Sequence, residues 1–289
     1  MKLLVPSVGK KSDLVRLLSD ALERRGGRLL VSDIRRDAPA LAAGGSPITL
    51  PRFGTPAFWS VLDDAIVREA VDAVLPVRDV ELAGWAERAE NGRLAARTLL
   101  SSAATLRVCH DKARLYEVAT AAGVACPPWQ HLERTTGDAL VAGPAIVKPL
   151  HGSGSRGIVR LGDGRGWHAE LCDDSAGRLI QEFVAGAEFS VDCFAERDGR
   201  LAACCVRERE IVQQGQSVAG RILDDPYLVG QCERLAEVLS FRGIINFQFV
   251  RDARGAWLID VNPRFPGGIA QTVAAGYPFV EWTLDALQA

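Results

Sequence analysis

The 289-residue chain is 48% hydrophobic and 24% charged, with a formal net charge of −2. That balance describes a globular polypeptide long enough for two domains or three small ones. It offers no basic field for nucleic acid or an anionic membrane, and no apolar run reaches the roughly 18 residues of a membrane span.

The opening MKLLVPSVGKK has too short an apolar core for a secretory leader and is expected to be a first strand. Helical spacing of Leu14, Leu17, Leu18, Ala21 and Leu22 predicts a helix over 10–24. RLLVSD (28–33) predicts a second strand, 56–70 a helix and 72–77 a third strand. Alternating strands and helices predict a parallel sheet. The first turn, SVGKKSD, lacks the GxGxxG spacing of a dinucleotide site despite Asp33 at the end of the second strand. Gly9, Arg78 and Asp79 fall at strand carboxyl ends, where open sheets bind ligands; they read equally as ordinary loop residues.

Residues 111–122 predict a helix that Asp111 starts and Gly123 stops, with Lys112 in its first turn. The strand AIVKP carries Lys148 and runs into HGSGSRG. A glycine loop of this kind, here Gly152, Ser153, Gly154 and Ser155, is either a plain flexible turn or one whose N–H groups approach phosphate. RLIQEFV (178–184) and 187–195 predict strands, the second bearing Glu188 and Asp192. For these two carboxylates the pattern leaves open a solvated strand face or a binding role. Residues 200–214 predict two further strands with Arg207 and Arg209 on one face, either as a clamp for phosphate oxygens or as partners in cross-strand ion pairs. A helix over 224–240 points Leu228, Cys232, Leu235 and Leu239 inward.

The stretch GIINFQFVRDARGAWLIDVNPRFPGG (243–268) predicts a hairpin around Asp252–Gly255. Period-two alternation puts Asn246, Gln248 and Val250 on one face of its first strand, and Leu258, Asp260 and Asn262 on one face of its second. Gln248, Asp260 and Asn262 then converge as oxygen ligands suited to a hard cation such as Mg²⁺; the bland alternative is a polar wet face. Arg264 follows along the same face. Two short helical segments close the chain.

Only five of the 34 basic residues are lysines, and Lys112 and Lys148 are the two beyond residue 11. Seven scattered cysteines without a CxxC spacing predict free thiols in a reducing cytoplasm.

Asp111-Lys112, AIVKPLHGSGSRGI (145–158), LIQEFVAGAEFSVD (179–192) and LIDVNPRFPGG (258–268) occur in the order found in one family. The chain resembles the ATP-grasp superfamily, in the branch of carbamoyl-phosphate-synthase large-subunit ATP domains and small carboxylate–amine ligases. The resemblance implies a mixed α/β and α+β fold. Residues 1–108 would form a Rossmann-like parallel-sheet domain, 109–184 a lid subdomain, and 185–289 an antiparallel-sheet subdomain with the metal site. It implies ATP and Mg²⁺ (one or two ions, Mn²⁺ being an alternative). Lys112, Lys148 and the loop Gly152, Ser153, Gly154 and Ser155 would meet phosphates, Glu182 and the Val184 backbone the adenine, and Glu188 the ribose. Gln248, Asp260 and Asn262 would hold metal, while Arg264, Arg207 and Arg209 would stabilise the transferred phosphoryl group.

The implied activity is ADP-forming ligation of a small carboxylate to an amine or related nucleophile through an acyl phosphate, in a cytoplasmic protein or homodimer. Phosphoryl transfer to a small acceptor and a non-catalytic nucleotide-binding module are the alternatives. Two positions depart from the family pattern. Asp260 stands where Glu is usual, and Gln248 where some members are acidic.

Overall fold

The computed structural model describes residues 1–132, 143–152, 157–162, 177–213 and 216–289, the side chains of 212–218 excepted. The chain begins with β1 (Lys2–Val5), α1 (Ser12–Arg24), β2 (Arg28–Val31), β3 (Ser46–Pro47), α2 (Phe58–Glu69), β4 (Ala73–Val74), α3 (Asp79–Glu90) and α4 (Ala103–His110). The four strands form a parallel sheet in the order β3-β2-β1-β4. Leu3 and Val5 pack with Leu14, Leu18 and Leu22 on one face, while Leu4 packs with Phe58, Leu62 and Trp85 on the other. An apolar run buried on both faces is what a parallel sheet with helices on each side requires. The strand expected over 72–77 pairs only at Ala73–Val74, although Leu75 and Val77 are also buried.

The chain continues with α5 (Lys112–Ala121), β5 (Trp129–His131), β6 (Ala145–Pro149), β7 (Val159–Leu161) and β8 (Arg178–Glu182). These strands form an antiparallel sheet in the order β5-β8-β6-β7. Asp111 caps α5 by accepting from the Ala113 and Arg114 N–H groups, so the expected helix start is met.

The rest is β9 (Ala187–Ala195), β10 (Leu201–Gln213), β11 (Gln216–Leu223), α6 (Pro226–Leu239), β12 (Gly243–Asp252), β13 (Gly255–Asn262), α7 (Ile269–Ala274) and α8 (Phe279–Gln288). A second antiparallel sheet has the order β11-β10-β9-β12-β13. Residues 201–213 are one strand rather than the expected two. No Gly or Pro interrupts them, and irregular registers near Leu201/Ala203 and Arg209/Ile211 take the place of a turn. Phe265, Ile269, Phe279 and Leu284 return to pack with Leu3 and Val5, so the last helices join this sheet to the first. Among the described residues no helix is long and apolar enough to cross a membrane.

Candidate nucleotide and metal site

The hairpin β12–β13 sets the floor of the site. Gln248 pairs with Asp260 and Asn246 with Asn262, but Phe249 pairs with Leu258. Ile259 is therefore the extra residue of a β-bulge, and it reverses the alternation at that point. Leu258 turns into the core while Asp260 and Asn262 face a cavity. The expected shared face of Leu258 with Asp260 is corrected accordingly. Across the sheet Asp260, Gln248, Ser190 and Arg207 occupy one row of four paired strands.

That cavity, about 1010 Å³, lies between the two antiparallel sheets and extends to the ends of β1, β2 and β4. Lys112, Lys148, Gly152, Glu182, Val184, Glu188, Arg207, Arg209, Gln248, Asp260, Asn262 and Arg264 all line it. Ser153, Gly154 and Ser155 lie outside the described residues. Gly9, Arg78 and Asp79 line the same cavity.

Lys112 donates to the Gly152 carbonyl at 2.9 Å, and its own N–H donates to the Leu150 carbonyl at 3.1 Å. The N-terminus of α5 is thus tied to the end of β6. Lys148 is 4% exposed. Its ammonium donates to the Tyr116 hydroxyl at 2.5 Å and lies 5.0 Å from that ring's centre. Tyr116 in turn donates to the carbonyl of the bulge residue Ile259 at 2.8 Å. Sequence reading missed Tyr116; its signal was its position one helical turn after Lys112, on the inward face.

Burial lowers the Lys148 pKa to about 7 from 10.5, with Asp260 opposing and Lys112 reinforcing the shift. The unfolded lysine keeps its proton up to about 10.5 and the folded one gives it up near 7. The unfolded state therefore binds more protons between these values, and this group's contribution to stability rises with pH across that window. Lys148→Met is expected to stabilise the nucleotide-free protein at pH 7 and below, with the gain fading as pH rises toward 10; denaturant titrations at several pH values check this.

The three arginines expected to meet phosphate all have protein partners. Arg264 grips both Asp79 oxygens, at 2.5 and 2.8 Å, and donates to Asn262 Oδ1 at 3.1 Å. Arg209 pairs with Glu188 at 2.9 Å, the arginine side chain being 5% exposed and the glutamate 43%. Arg207 is fully buried and donates twice to Asp192 Oδ2, at 3.1 and 2.9 Å. A Cβ at residue 268 would come within 2.5 Å of Arg207 Nη1, so glycine there makes room for the guanidinium. Asp192 is not on a solvated face but buried, accepting also from Asn246 and Thr272. Asn246 Oδ1 receives Gln248 Nε2 at 3.1 Å, which leaves the Gln248 carbonyl oxygen for another partner. The Glu182 carboxylate pairs with Arg254 at 2.5 Å.

Gln181 was also missed. It lines the cavity, is 1% exposed, and among the described residues neither amide atom has a hydrogen-bond partner. It lies beside Tyr116 without hydrogen-bond geometry. A buried, unsatisfied primary amide facing a cavity is costly unless a ligand completes it.

Among the described residues no three His, Cys, Asp or Glu side chains cluster as a metal-binding group. The Gln248–Asp260–Asn262 corner instead offers one carboxylate and two amide oxygens. This set fits Mg²⁺, which is commonly held by one or two carboxylates with phosphate oxygens and water completing its octahedron.

Comparison with known proteins bears on the fold. Residues 175–289 match the family described as ATP-grasp in the biosynthetic pathway with Ter operon, and residues 3–95 match the PylC-like N-terminal domain. The arginine-specific carbamoyl phosphate synthase large chain of Bacillus subtilis is 27% identical over 135 residues, covering 42% of this chain and 13% of that protein. The large chain from Clostridium acetobutylicum is 27% identical over 120 residues, covering 38% and 11%. The chain thus matches only a small part of these relatives.

The L-amino acid ligase of Bacillus licheniformis superposes with a TM-score of 0.77 at 17% identity, over 99% of this chain and 74% of that one. The biotin carboxylase domain of Hydrogenobacter thermophilus 2-oxoglutarate carboxylase, a dimer solved with MgADP, ADP and bicarbonate, gives 0.78 at 16% identity over 100% and 69%. N5-carboxyaminoimidazole synthetase of Staphylococcus aureus, solved with ADP, gives 0.77 at 14% over 99% and 76%. The matches identify a PylC-like N-terminal domain at residues 3–95 and an ATP-grasp domain at residues 175–289.

Proposed function

We propose that this chain is an ATP-dependent ligase that activates a small carboxylate as an acyl phosphate and passes the acyl group to an amine or related nucleophile. The observation that carries this reading is the convergence of Lys112, Lys148, Gln248, Asp260 and Asn262 on one cavity reaching the carboxyl ends of a parallel sheet. The ligases and synthetases among the structural neighbours support it.

The Gln181 amide would complete its hydrogen bonds on adenine, accepting from the 6-amino group and donating to N7 as glutamine does at base edges. Val184, close by on the same wall, would contribute its backbone. Glu188 would exchange its bond to Arg209 for the ribose hydroxyls, leaving Arg209 to face phosphate oxygens. Lys112 and Lys148 would act as point charges on phosphate. Gln248, Asp260 and Asn262 would hold Mg²⁺, which when bound neutralises phosphate charge. In the first step a substrate carboxylate oxygen bonds to the γ-phosphorus and ADP leaves. In the second, the amine nitrogen bonds to the acyl carbon, phosphate leaves, and the amine gives up a proton. The side chains contribute by position and charge rather than as nucleophiles. Free cysteines at the six described positions fit a reducing cytoplasmic setting, and a homodimer is the assembly we expect.

The test is incubation of the purified protein with Mg-ATP, pooled amino acids and small carboxylates, followed by mass spectrometry. ADP and an amide that appear together with one pool are the expected result. AMP would overturn the reading, and a phosphorylated acceptor without an amide would replace ligation by phosphotransfer.

A further inference from the structure

The cavity does not end at the nucleotide and metal residues. It continues to the carboxyl ends of β1, β2 and β4, where Ser7, Gly9, Lys11, Asp33 and Asp79 line it. The loop after β1 is tightly held. Gly9 N–H donates to Asp33 Oδ2 at 2.8 Å, and the Ser7 hydroxyl donates to the buried Glu81 carboxylate at 2.8 Å. Ser7 and Gly9 both sit at φ +55°, a conformation that a serine adopts only where its surroundings impose it. This wall is rigid and polar rather than a loose loop.

Its charges are mostly matched. Arg264 pairs with Asp79, Arg78 with Glu81, and Arg35 with Asp37. Lys11 differs. Among the described residues its ammonium makes no ion pair, and its hydrogen bond is one to the Phe265 carbonyl at 3.5 Å. It sits at the entrance to α1, a 13-residue helix with no side-chain N-cap, whose positive end adds to the local potential.

We infer that this lobe binds an anionic anchor group of the small-molecule substrate, a carboxylate or a phosphate away from the reacting centre, with the Lys11 ammonium as its principal donor. The inference rests on the ligase reading for the statement that a substrate lies here, but the anion site is testable without turnover. The surroundings of Lys11 agree. Burial first, and then the Arg264 charge, lower its pKa to about 7 against the pull of Asp79, with Lys10 and Asp33 also lining the lobe. An anion beside the ammonium offsets both effects and restores the charge. Lys112 and Lys148 lie across the cavity on α5 and β6, so the chain places separate lysines on the nucleotide side and on the substrate side.

The experiment titrates acetate and, separately, inorganic phosphate into the full chain, with and without saturating MgADP, by calorimetry. Wild type is compared with Lys11→Ala, Lys11→Gln, Lys11→Arg and, as a control outside the cavity, the exposed Arg16→Ala. We expect one or both anions to bind wild type, Lys11→Ala and Lys11→Gln to weaken binding roughly ten- to a hundredfold, Lys11→Arg to retain it, and Arg16→Ala to leave it unchanged. Selective binding of acetate identifies a carboxylate anchor, and selective binding of phosphate a phosphate anchor. ADP affinity, measured separately, should be the same in every variant. The inference is overturned if neither anion binds, if Lys11→Ala and Lys11→Gln bind as tightly as wild type, or if the anion competes with ADP. Failure of wild type to bind MgADP would instead overturn the ligase reading, while the titrations without nucleotide still decide the role of Lys11.

Discussion

Asp260→Asn is expected to slow ADP formation on the order of a thousandfold while leaving the fold and its melting temperature near wild type. Asp260 is the one carboxylate in the Gln248–Asp260–Asn262 group, and the substitution removes its charge without changing its shape. Changing residues that merely support a metal ligand costs about 10–100-fold, and removing one preorganised transition-state contact about 100–1000-fold. On the proposed metal role of Asp260, loss of the charged ligand itself belongs at or above the upper end. A second effect adds to the first. Asp260 opposes the lowering of the Lys148 pKa, so without it Lys148 carries less positive charge at neutral pH. Locally the variant should hold, because Asp260 Oδ1 accepts from the Val261 N–H at 3.1 Å and an amide oxygen can do the same. Steady-state ADP formation across a range of Mg²⁺ concentrations, with a melting curve beside it, checks this. An unchanged rate would remove Asp260 from the metal site.

Asp192→Ala is expected to destabilise the protein by about 3–5 kcal/mol, the cost of leaving one partner of a buried ion pair alone. Asp192 is fully buried, and its oxygens receive Arg207, Asn246 and Thr272. Removing it leaves the Arg207 guanidinium, 1% exposed, with the Gln271 side chain at 3.2 Å. It also frees Asn246, which orients Gln248. A double variant, Asp192→Leu with Arg207→Met, should regain most of the lost stability, since buried ion pairs are often replaceable by apolar groups of similar volume. Turnover should not return with it, because Asn246 and Gln248 stay unanchored. Urea denaturation and ADP assays on the three proteins separate the two effects. An unaltered unfolding midpoint in Asp192→Ala would show that Arg207 has another compensating partner.

The amino-acid sequence by itself determined the elements and much of the site's membership. Continuous apolar runs mark β1 and β2, which are buried on both faces, and periodic apolar spacing marks α1, α2, α6 and the closing hairpin, each of which buries one stripe or one face. Lys112, Lys148, Asp260 and Asn262 could be singled out because few residue types meet phosphate and Mg²⁺, and because they recur in a recognisable order. Tertiary structure decided what these side chains are free to do. The bulge at Ile259 reversed the face of Leu258, and a period-two pattern carries no sign of one extra residue. Pairing decided the arginines. Asp79 lies 185 residues from Arg264, Asp192 lies 15 from Arg207, and Glu188 lies 21 from Arg209. Such partners are chosen by strand register and domain packing, which no local spacing encodes. Tyr116 and Gln181 were hidden for the same reason. Only the packing of the elements sets Gln181 on the cavity wall and Tyr116 between Lys148 and the Ile259 carbonyl.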